Sequence, residues 1–318
     1  MSTTELPTNT RETWLADRLT GIGASEAAAV LGADPYRSPF AIWAEKTGFA
    51  EPEDLSSVEA VEFGVRLERP ILEAFADRTG RTVEPWPQYV SVKHPEHPFI
   101  RCTPDGTQDA GRKCYSGEPA EIYGLPGGRS GNLEGLVQVK TTSAYNAKDW
   151  ADGPPLHYQV QIQQELLVTG HVWGTLVVLI GGQRLRYFDV VANSEFQAAL
   201  VQRLSDFWAL VQAKIPPPVD GTLATARILA RLHPEDSGET IALPADAGEW
   251  DAEIASANED IKQAEARKRE YENRLKAALG DATFGVLPSG GRWSWKTTER
   301  KGYVVEPTSF RTLRRLVK

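Results

Sequence analysis

A chain of 318 residues with 41% hydrophobic content is long enough for a sizeable buried core plus an appendage. No apolar run approaches the ~18 residues a membrane-spanning helix needs, and Met1 to Arg11 lacks the apolar core of a secretory signal. Two cysteines, Cys102 and Cys114, build no disulfide framework and are too few for an iron–sulfur cluster, so a cytosolic location is expected. The net charge of −8 weighs against a nucleic-acid binder, but it is uneven: residues 291–318 carry eight basic side chains against two acids. That tail reads either as a solvated surface or as a patch for phosphate or a partner.

In chain order, residues 1–11 read as a disordered lead. Trp14 to Leu19 predicts a short helix, broken by Gly21 and Gly23. Ser25 is then placed to cap a second helix ending at Gly32. A helix start beside Arg18 suits a phosphate; the plainer alternative leaves Ser25 a cap and Arg18 a surface residue. Phe40 to Thr47 predicts a helix. Glu59 to Gly80 predicts a longer one, with an apolar stripe of Val61, Val65, Ile71, Leu72 and Phe75. Glu68 lies at the edge of that stripe, either a solvated acid or one aimed at a metal, and Pro70 marks a kink or a restart. Thr82 to Val92 reads as one strand. The prolines around His94 and His97 make that segment a loop, and Phe99 to Cys102 resumes a strand.

The stretch from Ile100 to Thr142 points to chemistry. Pro104-Asp105-Gly106 is a turn, and Leu136 to Thr142 is a short apolar strand. Gln138 and Lys140 are two apart, so they share a face. An aspartate turn beside such a strand is a frame for a hard divalent cation, with a lysine to position or polarise water. Between the two pieces, Gly111 to Asn132 is Gly-rich and reads as a hairpin loop or lid. Leu156 to Thr169 predicts a helix closed by Gly170. Its glutamines either line a polar surface or offer Gln161 to the site. A hairpin over 180–183, a helix from Asn193 to Lys214 and the run Pro216-Pro217-Pro218 complete a core domain spanning 12–218. Residues 219–248 read as a linker. Residues 249–318 read as a long helix with a coiled-coil-like seam, followed by a basic hairpin pairing 292–296 with 301–305. Trp293 and Trp295 in that hairpin either stack bases or form its core.

Five motifs occur in order over roughly residues 12–218: Trp14…Arg18-Leu19…Gly23-Ala24-Ser25-Glu26, Phe63-Gly64…Leu67-Glu68, Cys102-Thr103-Pro104-Asp105-Gly106, Gln138-Val139-Lys140-Thr141, and Tyr158…Gln161-Ile162-Gln163…Leu166…Val168-Thr169-Gly170. With them the chain resembles the YqaJ-type phage recombination exonucleases, relatives of lambda exonuclease in the PD-(D/E)xK nuclease superfamily. The resemblance implies an α/β (α+β) fold, a central mixed sheet flanked by helices, here with a C-terminal helical and small β extension. It implies a Mg²⁺-dependent 5′→3′ exonuclease on ends of linear double-stranded DNA, with Mn²⁺ able to substitute. The 3′ tails produced would serve phage-type recombination in the cytoplasm of a bacterial host. A single-strand annealing protein and a trimeric ring are the implied partners, and no membrane is involved.

By motif position, Asp105 is the implied central metal ligand and Glu68 a further acid. Gln138 and the Val139 carbonyl complete the set. Lys140 is the catalytic lysine, and Gln161, with Gln163 as alternative, the helix glutamine at the site. Arg18 and Ser25 match the family's anchor for a 5′ phosphate. Gln138 departs from the pattern, which has Glu there; an amide oxygen can ligate a hard cation but brings no charge. Three readings stay open: a tolerated natural residue, an engineered inactive form, or a DNA-end-binding module without activity. An endonuclease of the same superfamily is a further alternative. Glu134, on the same strand and face, is a candidate substitute ligand.

Overall fold

The computed structural model describes residues 10–55, 57–109, 134–299, 302 and 311–314. Most of the expected lead, the Gly-rich insertion with Cys114, and residues 301 and 303–305 of the expected terminal hairpin lie outside the described residues. The chain divides into two compact units, Met1–His233 and Pro234–Lys318. Among the described residues no helix is long and apolar enough to cross a membrane.

The first unit opens with α1 (Arg11–Leu19), capped by the Thr10 hydroxyl, which accepts from the Thr13 N–H at 3.3 Å. β1 (Ile22–Gly23) leads into α2 (Ala24–Val30). Gly23, not Ser25, is the N-cap of α2, and the Glu26 carboxylate accepts the Gly23 N–H at 2.8 Å. Ser25 lies inside the first turn with its side chain exposed. Gly21 is needed for a close approach: a Cβ there would sit 2.4 Å from the Phe99 carbonyl oxygen and 2.3 Å from Arg101 Nε.

α3 (Pro39–Lys46) starts under a Ser38 cap with proline in its first turn. α4 (Glu59–Thr79) runs unbroken through Pro70 and stops at Gly80, whose φ of 68° suits glycine. Only Ile71, Leu72 and Phe75 of its expected stripe are buried; Val61 and Val65 are exposed, because only the second half of the helix lies on the sheet. The expected strand over 82–92 is two strands, β2 (Thr82–Pro85) and β3 (Val92–Lys93), in different sheets. The chain turns between them, with Trp86 Nε1 donating to the Val90 carbonyl at 2.9 Å.

β4 (Ile100–Cys102), β5 (Gly106–Asp109), β6 (Glu134–Thr142), a 3-10 helix (Ala144–Trp150), α5 (Leu156–Thr169), β7 (Trp173–Ile180), β8 (Arg184–Val191), α6 (Ser194–Ala213) and α7 (Leu223–Leu232) follow. The main sheet has the order β2-β5-β6-β7-β8. β6 and β7 are parallel, and the other neighbours are antiparallel. The 3-10 helix and α5 make the crossover that a parallel pair needs. A small sheet, β1-β4-β3, lies beside α5.

Alternation along β6 sends Val137 and Val139 to α4, where they pack with Ile71, Leu72 and Phe75. Leu136 faces the other way and packs with Ile162 and Leu166 of α5. α5 is therefore a buried central helix, not a polar surface helix, and Gln161, Gln163 and Gln164 are buried, while Gln159 stays exposed. Gln164 Nε2 donates to the carbonyls of Ile22 and Arg101, both at 2.9 Å, tying β1 to β4. α7, expected within a linker, packs Ile228 into the core of the first unit, and the Thr225 hydroxyl donates to Ser38 at 2.7 Å.

The second unit contains α8 (Ala247–Leu279) and a hairpin of β9 (Phe284–Val286) and β10 (Arg292–Ser294). The strand over 292–294 pairs antiparallel with β9 upstream of it. The α8 seam residues Ile254, Ile261 and Tyr271 are exposed, as are Trp293 and Trp295.

Candidate active site

Asp105 follows Pro104 at the turn into β5, and three hydrogen bonds tie that turn to β6. Its Oδ2 accepts from Gln138 Nε2 at 2.6 Å and from the Val139 N–H at 2.7 Å; its own N–H donates to the Val137 carbonyl at 3.3 Å. Gln138 and Lys140 share the strand face that carries Leu136, so both look toward α5. The Lys140 ammonium lies 5.2 Å from the centre of the Tyr158 ring on α5.

Glu68 of α4 and Gln161 and Glu165 of α5 complete the cluster. Gln161 Nε2 donates to Glu165 Oε1 at 2.9 Å, one turn along the helix. Gln163, the alternative helix residue, is occupied elsewhere: it bonds the Val191 carbonyl and the Asn193 N–H. Burial first, then the Asp105 charge, pushes the Glu68 carboxyl up to about 7 and the Glu165 carboxyl up to about 8, with Lys140 pulling against both. Asp105 is also raised, by burial, against the pull of Lys140, Val139 and Gln138.

Sequence reasoning brought Asp105, Gln138, Val139, Lys140, Glu68 and Gln161 to one place but missed Glu165. The available signal was its spacing four residues after Gln161 on a helix otherwise committed to the core. Glu134, the candidate substitute ligand, does not join them. It opens β6 with its side chain 61% exposed, 4.0 Å from His171.

The donors fit a hard divalent cation in kind, being carboxylate, amide and carbonyl oxygens. The Gln138 Oε1 atom is buried and has no hydrogen-bond partner, and neither has Glu165 Oε2. Three carboxyls with raised pKa in one cluster are what a bound cation would relieve. Among the described residues, no three His, Cys, Asp or Glu side chains already stand as a metal cage.

Arg18 and Ser25 form a second group. Arg18 Nη2 donates to the Ser25 hydroxyl at 3.3 Å, and the guanidinium lies 4.9 Å from the Trp14 ring centre. Beneath them, Glu26 is buried among Lys46 at 2.7 Å, Arg18 at 3.4 Å and Arg37 at 3.7 Å. A row of contacts joins this region to Lys140: Tyr36 meets His157 edge-on, and His157 packs on Tyr158.

Burial alone would raise Glu26, but Lys46, Arg18 and Arg37 outweigh it and hold the carboxyl at about 2. A folded pKa below the ordinary 4.5 means stability that is present above that pH and lost as pH falls toward 2. About 2 kcal/mol of it should be gone by pH 3. Urea unfolding at pH 6 and pH 3 measures this. Glu26→Gln should flatten the acid limb by that amount, and equal slopes for parent and variant would refute the assignment.

A mixed α/β core whose central strand presents an amide and a lysine beside an aspartate at the neighbouring turn defines the class: a sheet-based protein with an oxygen-rich, lysine-flanked site. The sequence profile of the YqaJ-like viral recombinase domain matches residues 13–172, which include every residue of both groups. The chain belongs to that family. It is 30% identical over 282 residues to the uncharacterized protein YqaJ of Bacillus subtilis (strain 168), spanning 87% of this chain and 81% of that one. Two solved structures are also similar. One is an alkaline exonuclease from Laribacter hongkongensis, 18% identical, covering 70% of this chain and 100% of that one, with a TM-score of 0.47. The other is a phage-related exonuclease from Haemophilus somnus 129PT, 10% identical, covering 61% and 95%, with a TM-score of 0.41.

Proposed function

We propose that the protein is a Mg²⁺-dependent exonuclease that digests one strand of linear double-stranded DNA from its 5′ end, leaving 3′ tails for recombination. The observation that carries this reading is Asp105, clamped to β6 by Gln138 and Val139 beside Lys140, with the carboxyls of Glu68 and Glu165 close enough to feel its charge. Asp105, Glu68, the Gln138 amide oxygen and the Val139 carbonyl would hold the cation. Such a cation would supply a water activated near neutral pH and positive charge to offset the leaving oxygen. Lys140 orients that water and balances the charge that builds on the phosphate. Gln161 holds the α5 side of the site through its bond to Glu165. Arg18 and Ser25 receive the terminal 5′ phosphate, which sets the polarity of digestion. Mn²⁺ as a substitute metal, a single-strand annealing partner, a ring of three copies and a cytoplasmic, phage- or prophage-borne setting belong to the same reading.

The test is digestion of end-labelled linear duplexes, with and without a 5′ phosphate, beside closed circular DNA. Nucleotides should come from the 5′-phosphorylated strand, and circles should survive. Arg18→Ala should erase the preference for the phosphorylated end, a loss of about tenfold to hundredfold. Cleavage of circles would instead indicate an endonuclease. One observation favours a second reading, a DNA-end binder without activity: Gln138 offers Asp105 an N–H where a carboxylate would add charge. That reading requires end binding that survives chelation, with no nucleotide released.

A further inference from the structure

The charge absent at position 138 has another source in the fold. We propose that Glu165 supplies it, acting as a carboxylate ligand of the cation site beside Asp105; this rests on the metal-dependent nuclease reading. Three observations lead there. First, α5 covers the strand face that carries Gln138 and Lys140: Leu136 of that face packs with Ile162 and Leu166, the neighbours of Gln161 and Glu165 in the helix. Glu165 is thus on the helix that covers this face, close enough to feel the charges of Asp105 and Lys140. Second, Glu165 is fully buried, with Oε1 bonded to Gln161 and Oε2 bonded to nothing. A carboxylate oxygen is costly to bury without a partner, and a cation is the partner that removes that cost. Third, Gln138 has the complementary defect. Its N–H is taken up by Asp105, while its Oε1 is buried and unpartnered. Two orphaned oxygens, one from the strand and one from the helix that covers it, thus flank a bonded aspartate.

Moving the acid from the strand to the helix keeps the number of negative charges around the cation while changing which element supplies one. Glu134 cannot do this, since it lies exposed at the start of β6.

Mn²⁺ binding to the full-length protein without DNA, followed by calorimetry or by loss of the free-ion paramagnetic resonance signal, tests the proposal. Glu165→Gln and Glu165→Leu should each weaken Mn²⁺ binding by about tenfold to hundredfold. Adding Gln138→Glu to Glu165→Gln should restore the affinity to within about threefold of the parent, because the same charge returns from the strand side. In the parent background Gln138→Glu should gain less than about tenfold, and this arm holds even if the Glu165 variants fail to fold. Unchanged affinity in both Glu165 variants, failure of the rescue, or a larger gain from Gln138→Glu alone would overturn the proposal. If Mg²⁺-dependent digestion by the parent persists alongside any of those results, the nuclease reading stands without Glu165. Absence of Mn²⁺ binding by the parent together with absence of digestion removes both.

Discussion

Lys140→Ala is expected to lower the rate of DNA digestion by about a hundredfold to a thousandfold at saturating metal, with end binding changed by less than about threefold. Lys140 is the cation of the cluster that acts on all three carboxyls: its charge lowers Asp105, Glu68 and Glu165 against burial. Removing it takes away the charge that meets the developing oxyanion. It also leaves the three carboxyls harder to ionise, so the acidic limb of the rate profile should move to higher pH. A purely structural lysine would not move that limb. Tyr158, over which Lys140 packs, would still be held by its stacking on Trp150 at 5.3 Å, so the α5 side of the site should keep its shape. A variant that digests as fast as the parent would remove Lys140 from the chemistry.

The largest effect on stability should come from a site without catalytic work. Arg81 is buried between the sheet and α4 and makes a two-pronged pair with Asp189, at 2.9 Å and 2.7 Å. It also donates to Gln108 at 3.0 Å and Thr175 at 3.1 Å, and its guanidinium lies over Phe75 and Trp173. Arg81→Ala leaves Asp189 with an uncompensated charge in a poorly solvated place and should cost about 3–5 kcal/mol. Urea unfolding measures it through the midpoint at constant slope. Arg81→Ala combined with Asp189→Ala should recover part of the loss, since the stranded charge is then gone. A cost below about 1 kcal/mol would show that the network contributes little.

Local rules made much of the first unit legible. The helices over 11–19, 39–46, 59–79, 156–169 and 194–213 follow from apolar spacing, caps and terminal glycines. The hairpin of β7 and β8 follows from two apolar runs around Gly181 and Gly182. Elsewhere long-range pairing overrode local pattern. Nothing in residues 82–92 states that the chain will leave one sheet and enter another. Ser25 satisfies every local preference for a cap, yet Gly23 takes the position because pairing with β4 fixes β1 up to that residue. The glutamines of α5 look like a solvated stripe in one dimension. Gln163 and Gln164 are buried because backbone carbonyls of β1, β4 and β8 need donors at those points.

The sequence by itself determined the chemical vocabulary of the site: an aspartate at a turn, and an amide and a lysine two residues apart on one strand face, since alternation along a strand needs no tertiary information. Its order of motifs also determined the family. Only the tertiary structure decided which partners those residues meet. Glu134 shares the parity of Gln138, yet it lies exposed beside His171, away from the site. Glu165 lies 27 positions after Gln138 in the chain, and the packing of α5 on β6 brings it over the same face. Burial without a partner then gives its oxygen a meaning that no spacing rule contains.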